Sequence, residues 1–200
     1  MKHLICVGAM VLAGTSASAG NKLIPQGAAV SVAQSPLTIT PDREWNKMGA
    51  RPGRKSETWT IDGDGLNDVT FYGGIENDGT LFKDVDKKSR PLPHFSSSML
   101  LTDLPALFEN SYSIALNTQL MKITSVEPTE FLGHKGVQFS FTFSRFDEEV
   151  RRKGEASAAV IDGKLYMITF EAPDVLYYER DLPAYRAILA TATMSGKSAN

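Results

Sequence analysis

Cysteine is almost absent: Cys6 is the only one in 200 residues. A disulfide scaffold and a metal held by several cysteines are therefore excluded. Histidine is nearly as scarce, with three in the chain and no HxxxH pair. A zinc site, which asks for three or four His, Cys or carboxylate ligands, is not expected. No GxSxG elbow, phosphate loop or dinucleotide fingerprint occurs, and Gly73-Gly74 lacks the spacing of the last. No apolar run reaches the roughly 20 residues that a membrane-spanning helix needs. An excess of one charge is missing too. Lysine and arginine number 21 against 23 acidic residues, a formal net charge of −2. Nucleic acid, which asks for a clustered basic surface, is not an expected partner.

What the chain does have begins at its start. Met1-Lys2-His3 is short and basic, Leu4 to Gly14 is apolar, and Ala17-Ser18-Ala19 has the small-x-small pattern that signal peptidase reads. In this order they form a secretory signal, with cleavage expected after Ala19. Export to the periplasm or the extracellular medium follows. Cys6 lies inside the apolar region rather than at its end, so a lipid anchor is not expected and the mature chain is cysteine-free. About 180 residues then remain, enough for one core and one domain. Gly20 to Ser35 is polar and small and reads as a flexible leader, with the domain spanning 36–200.

Strand signals come first along that domain. Pro36-Leu37-Thr38-Ile39-Thr40-Pro41 suits a short edge strand. Glu57 to Ile61 and Val69 to Tyr72 have β character, with Asp62-Gly63-Asp64-Gly65 as turn chemistry between them. Glu76 to Pro93 reads as a long loop. A strand around Leu120 to Val126 is expected to turn at Gly133-His134-Lys135-Gly136. In the next strand Val137, Phe139, Phe141 and Phe143 alternate with polar residues and give one aromatic face. The charged stretch Asp147 to Lys153 reads as a solvated hairpin end. Gly154 to Ile161 and Lys164 to Glu171 flank Asp162-Gly163, a two-residue hairpin signal. Tyr166, Ile168 and Phe170 share one face of the last strand. Two amphipathic helices are expected to open at Asp103-Leu104-Pro105-Ala106 and Asp181-Leu182-Pro183-Ala184, where aspartate caps and proline is tolerated in a first turn.

Segregated strands and helices indicate an α+β fold, an antiparallel β-sheet covered by two amphipathic helices. The matching segments are Glu57-Thr58-Trp59-Thr60-Ile61-Asp62-Gly63, Leu66 to Ile75 around Phe71-Tyr72-Gly73-Gly74, and Ile161-Asp162-Gly163-Lys164-Leu165-Tyr166 before a terminal helix. In these, and in element order after about Pro36, the chain resembles the PsbP-like fold, the exported bacterial relatives of the photosystem II extrinsic subunit. The resemblance implies an α/β/α sandwich and a non-catalytic assembly, docking or stabilising role. It carries over no metal or partner residues.

Candidate chemistry is sparse. Asp62, Asp64 and Asp68 alternate around glycines as in a Ca2+ loop. The bidentate glutamate of an EF-hand is missing, since Phe71 stands there, and a plain tight turn is the preferred reading. His94 precedes Ser96, Ser97 and Ser98, but no third orienting group is evident for a hydrolase. Asp174, Tyr177 and Tyr178 lie between the last strand and the last helix. Tyrosine is enriched at binding surfaces, so this segment is the binding candidate, with a tyrosine staple between helix and sheet as the competing role. Trp45 and Trp59 are expected in the core. The leading expectation is an exported, non-enzymatic binding or assembly module for an unidentified protein partner. A carrier of a small apolar ligand between helix and sheet, and a Ser/His hydrolase using His94, are the alternatives.

Overall fold

A computed structural model describes residues 20–84, 86–118, 120–145 and 148–196. The expected signal segment, 1–19, lies outside the described residues. Eleven strands and two α-helices follow one another. β1 (Lys22–Ile24), β4 (Trp45–Lys47), β5 (Ser56–Thr60), β6 (Asp68–Ile75), β7 (Lys122–Phe131), β8 (His134–Ser144), β9 (Arg151–Ile161) and β10 (Lys164–Pro173) form one antiparallel sheet. Its order is β1-β4-β5-β6-β10-β9-β8-β7, so the last four strands are the expected meander. β2 (Val30–Ser31), β3 (Leu37–Ile39) and β11 (Thr193–Met194) form a second, small sheet. The helices are α1 (Leu104–Ala115) and α2 (Tyr177–Thr191).

The two faces of the large sheet carry separate apolar clusters, and strand alternation decides membership. Leu165 and Met167 of β10 pack with the α1 residues Leu107, Phe108 and Tyr112. Tyr166, Ile168 and Phe170 pack with the α2 residues Ala184, Tyr185 and Ile188 and with Trp45 and Trp59. The phenylalanine row of β8 belongs to the α1 side, where Phe108 lies 5.5 Å from Phe139 and 5.0 Å from Phe141. Burying each such ring is worth about 1.5–3 kcal/mol. The small residues of β9 make room for that row: Gly154, Ala156 and Ala158 stand opposite Phe141, Phe139 and Val137. A Cβ at Gly154 would overlap the Phe141 ring.

The structure corrects three expectations. Residues 20–35 are no loose leader. β1 adds an edge to the large sheet, and Ile24, Val32 and Ala33 are buried in the α2-side core. β7 runs on through Pro128 to Phe131, because an edge strand can forgo the proline's missing N–H. The hairpin turn is therefore Leu132-Gly133, both with positive φ, and His134-Lys135-Gly136 belong to β8. Finally, α2 begins at Tyr177 rather than Asp181, which leaves Pro183 inside the helix. The reason is Tyr178, whose ring stacks on Phe170 at 5.7 Å while its hydroxyl reaches Glu155. That anchor pulls the chain into helical geometry one turn before the aspartate.

Candidate functional site

The strand register places polar residues in rows on the α1 side of the sheet. Thr70 of β6 stands between Thr58 of β5 and Thr169 of β10. One row further, Asp68 stands directly opposite Glu171. α1 covers the phenylalanine half of this face, and over the threonine and carboxylate rows its cover gives way to a cleft. The cleft holds about 380 Å³ and is walled by the last turn of α1 and by the loops that carry Arg51, Pro52, Phe82 and Lys83. Three aromatic rings line it edge-on to one another: Tyr72 to Phe82 at 6.1 Å and Phe82 to Tyr112 at 5.7 Å.

Its carboxylates are held in an unusual state. Asp68 is only 6% exposed. Its Oδ2 accepts the Gly65 N–H at 2.9 Å, and its Oδ1 has no partner among the described residues. Burial pushes its pKa to about 6 against the opposing Gly65 hydrogen bond, with the Asp64 charge adding to the rise and Arg145 and Arg152 resisting it. Burial also raises Glu171 well above the ordinary carboxylate range, and the charges of Asp68 and Asp64 push the same way. The Tyr112 hydroxyl donates to Glu171 Oε2. Arg145 stands 3.7 Å from Glu171 and 3.6 Å from Glu148. Arg152, buried, is spent on Glu148 and on the Gly65 carbonyl. The arrangement offers buried acceptors, protonatable near neutral pH, beside aromatic faces.

Beside the cleft, the turn from 61 to 67 is organised by one residue that the sequence did not flag. Asn67 is wholly buried. Its Oδ1 accepts from Thr60 Oγ1, the Ile61 N–H and the Asp62 N–H at 2.7–3.0 Å. Its Nδ2 donates to Asp62 and to Asp181 of α2, each at 2.9 Å. Arg180 closes the cluster by pairing with both carboxylates. Asp62, Asp64 and Asp68 thus take different paths: Asp62 joins Arg180 and Asn67, while Asp64 and Asp68 line the cleft. Among the described residues no group of three or more His, Cys, Asp or Glu is placed to hold a metal ion.

The other singled-out residues are dispersed. Tyr178 is buried as the staple described above, whereas Tyr177 is half-buried with Arg180 4.7 Å from its ring. Asp174 pairs with Lys153 at 2.7 Å. Between them Val175 and Leu176 are 79% and 66% exposed. His94 Nδ1 lies against Asp78, at 2.9 Å from its carboxylate, while Ser96 bonds Ser98 and Ser97 bonds Asn77. His134 is exposed at the start of β8.

No protein-family model matches the chain, and no curated protein matches it in sequence. Solved structures do. The solution structure of cyanobacterial PsbP (CyanoP) from Synechocystis superposes with a TM-score of 0.53 at 13% identity, covering 94% of this chain and 99% of that one. LpqN, involved in cell envelope biogenesis of Mycobacterium tuberculosis, gives a TM-score of 0.34 at 10% identity over 86% and 90% of the two chains. The chain is mostly antiparallel β-sheet with two helices, and its fold is PsbP-like.

Proposed function

We propose that this chain is an exported, non-enzymatic binding module, an α/β/α arrangement whose ligand sits in the cleft between α1 and the sheet. One observation carries the reading: Asp68 is buried with an unsatisfied Oδ1 in the lining of a 380 Å³ space. A buried polar atom left unpaired costs about 1–3 kcal/mol, and a ligand that pairs it recovers that loss. Threonine and tyrosine hydroxyls and carboxylates face one another in the cleft and supply donors and acceptors for a held ligand. Export rests on the three-part pattern of residues 1–19. Among the described residues no helix is long and apolar enough to cross a membrane. Native mass spectrometry of the mature protein, gently isolated from its own compartment, tests the reading. Added mass is expected, lost when Thr169→Trp fills the cleft. Bare protein under the same conditions overturns it.

A second reading, assembly with a protein partner, is favoured by the corner between β10 and α2. Leu176 has φ +71° and ψ −55°, and the Tyr177 N–H donates to the Val175 carbonyl at 2.9 Å. This is a γ-turn of the strained positive-φ kind, kept at an exposed apolar tip flanked by Asp174 and Tyr177. A photo-crosslinker at Val175 should yield one discrete adduct in the same compartment. A smear or none removes this reading.

A further inference from the structure

The cleft's floor and its aromatic wall select a charge type. Asp64, Asp68 and Glu171 line the cleft, and the last two stand directly opposite each other in the register. Two carboxylates so close cannot both ionise cheaply in a buried place without positive charge beside them. The arginine nearest them does not fill the gap. Arg145 lies 3.7 Å from Glu171 and divides itself between that residue and Glu148, and Asp68 Oδ1 stays unpaired. Lys83 is exposed on a surface loop and Arg51 half-buried on another. Tyr72, Phe82 and Tyr112 also line the cleft, with Phe82 edge-on to each of the other two, and the faces of such rings attract cations. An unpaired acceptor further favours a cation that carries N–H groups.

Resting on the cleft as the binding site, we propose that its ligand is a small organic molecule bearing a protonated primary or secondary amine, with the ammonium between Asp68 and Glu171 and the apolar body against Tyr72, Phe82 and Tyr112. A proton on either carboxylate removes charge that holds the ammonium. Binding therefore favours the deprotonated carboxylates and weakens as they become protonated. A metal ion is a poorer fit, since no three potential ligands converge among the described residues. An anion would face Asp68 and Glu171 directly.

Three probes of nearly one shape and different charge test this by calorimetry on the mature protein: benzylammonium, benzyl alcohol and benzoate. Benzylammonium is expected to bind at least about tenfold more tightly than the other two. Its affinity should fall about tenfold from near pH 7.5 to pH 5, with a matching change in protons released between buffers of different ionisation enthalpy. Asp68→Asn should erase the preference for the cation, while an unchanged far-UV circular dichroism spectrum and a cooperative urea transition show that the variant is folded. Equal binding of the amine and the alcohol overturns the amine assignment while the cleft stands as a ligand site. Tightest binding of benzoate does the same. Binding of none of the three up to about 10 mM, where even a weak site fills, removes both the amine and the cleft.

Discussion

Asn67→Asp is expected to lower the unfolding midpoint by about 10 °C near neutral pH, a loss of about 3–5 kcal/mol. The substitution changes one atom in shape and inverts a hydrogen bond's sense. Asn67 Nδ2 donates to Asp62 and Asp181. The new carboxylate would face both of theirs in a place without solvent, with Arg180 as the only cation paired to them among the described residues. Like charges raise one another's pKa, so the folded variant takes up a proton that the unfolded chain releases. A folded-state pKa raised in this way gives stability at low pH that is lost as pH rises. The deficit against wild type should therefore shrink as the pH is lowered toward about 4. Asn67→Ala separates charge from hydrogen bonding. It forfeits the same partners without adding a charge, so its deficit should change less with pH than that of Asn67→Asp. Adding Asp181→Asn to Asn67→Asp supplies a donor again and should recover most of the loss. An Asn67→Asp protein as stable as wild type at pH 7 would mean that the 61–67 turn is not tied to α2 through this residue.

This cluster shows which parts of the structure local sequence carries. The period-two row Val137, Phe139, Phe141 and Phe143, the Asp162-Gly163 turn and the helix at Asp103 are local signals, decided within a few residues, and the structure follows them. Asp181-Leu182-Pro183 sends the same local signal and is overruled. Asp181 is engaged by Asn67, 114 residues away, and the helix starts where Tyr178 meets Phe170. β1 and β2 escape notice because strands of two or three residues have no period to read. Pairing with Trp45 and Ile39, which lie outside these short strands, holds them in place.

The cleft lies at the far end of this scale. Asp68 was visible only as a possible third ligand of a calcium turn, and Glu171 only as the end of a strand. Their opposition depends on the pairing of β6 with β10, which no window of sequence contains. One trace did exist. Asp68 and Thr70, like Thr169 and Glu171, are polar at alternate positions of strands whose other positions are Val69, Phe71, Ile168 and Phe170. On a sheet expected to be covered on both faces, polar residues in that phase mark where the cover is incomplete. Tyr112 gave no such trace, because on α1 it reads as one more apolar-face residue, and its hydroxyl's role toward Glu171 is tertiary.

The Asp68 carboxylate should cost the protein stability, and removing its charge should return it. Asp68→Asn is expected to stabilise the fold at pH 7 by up to about 3 kcal/mol. The direction follows from its pKa of about 6, raised chiefly by burial. An unfolded aspartate titrates near 3.9. Between those values the folded protein holds a proton that the unfolded chain has released, so the wild type is favoured at the acid end and loses stability as pH rises from about 4 to 6. The groups around it keep the sign. Asp64 beside it opposes ionisation, while the Gly65 N–H, Arg145 and Arg152 relieve it only in part, and Glu171 across the register is itself raised by burial and by the charge of Asp68. Tyr72, Tyr112, Thr70 and Thr169 carry no charge in this range. Asparagine keeps an oxygen for the Gly65 N–H and removes the charge that burial penalises. Urea unfolding from pH 4 to 7 should show wild-type stability declining more steeply than that of the variant, and Glu171→Gln should flatten the remainder. Parallel curves for wild type and Asp68→Asn would show that Asp68 titrates alike in both states and that no stored cost awaits a ligand. A diverging pair identifies a charge kept at the expense of the fold, as binding sites commonly are. Benzylammonium should then close the gap between the two curves at pH 7, because a bound cation supplies the partner that folding alone leaves out.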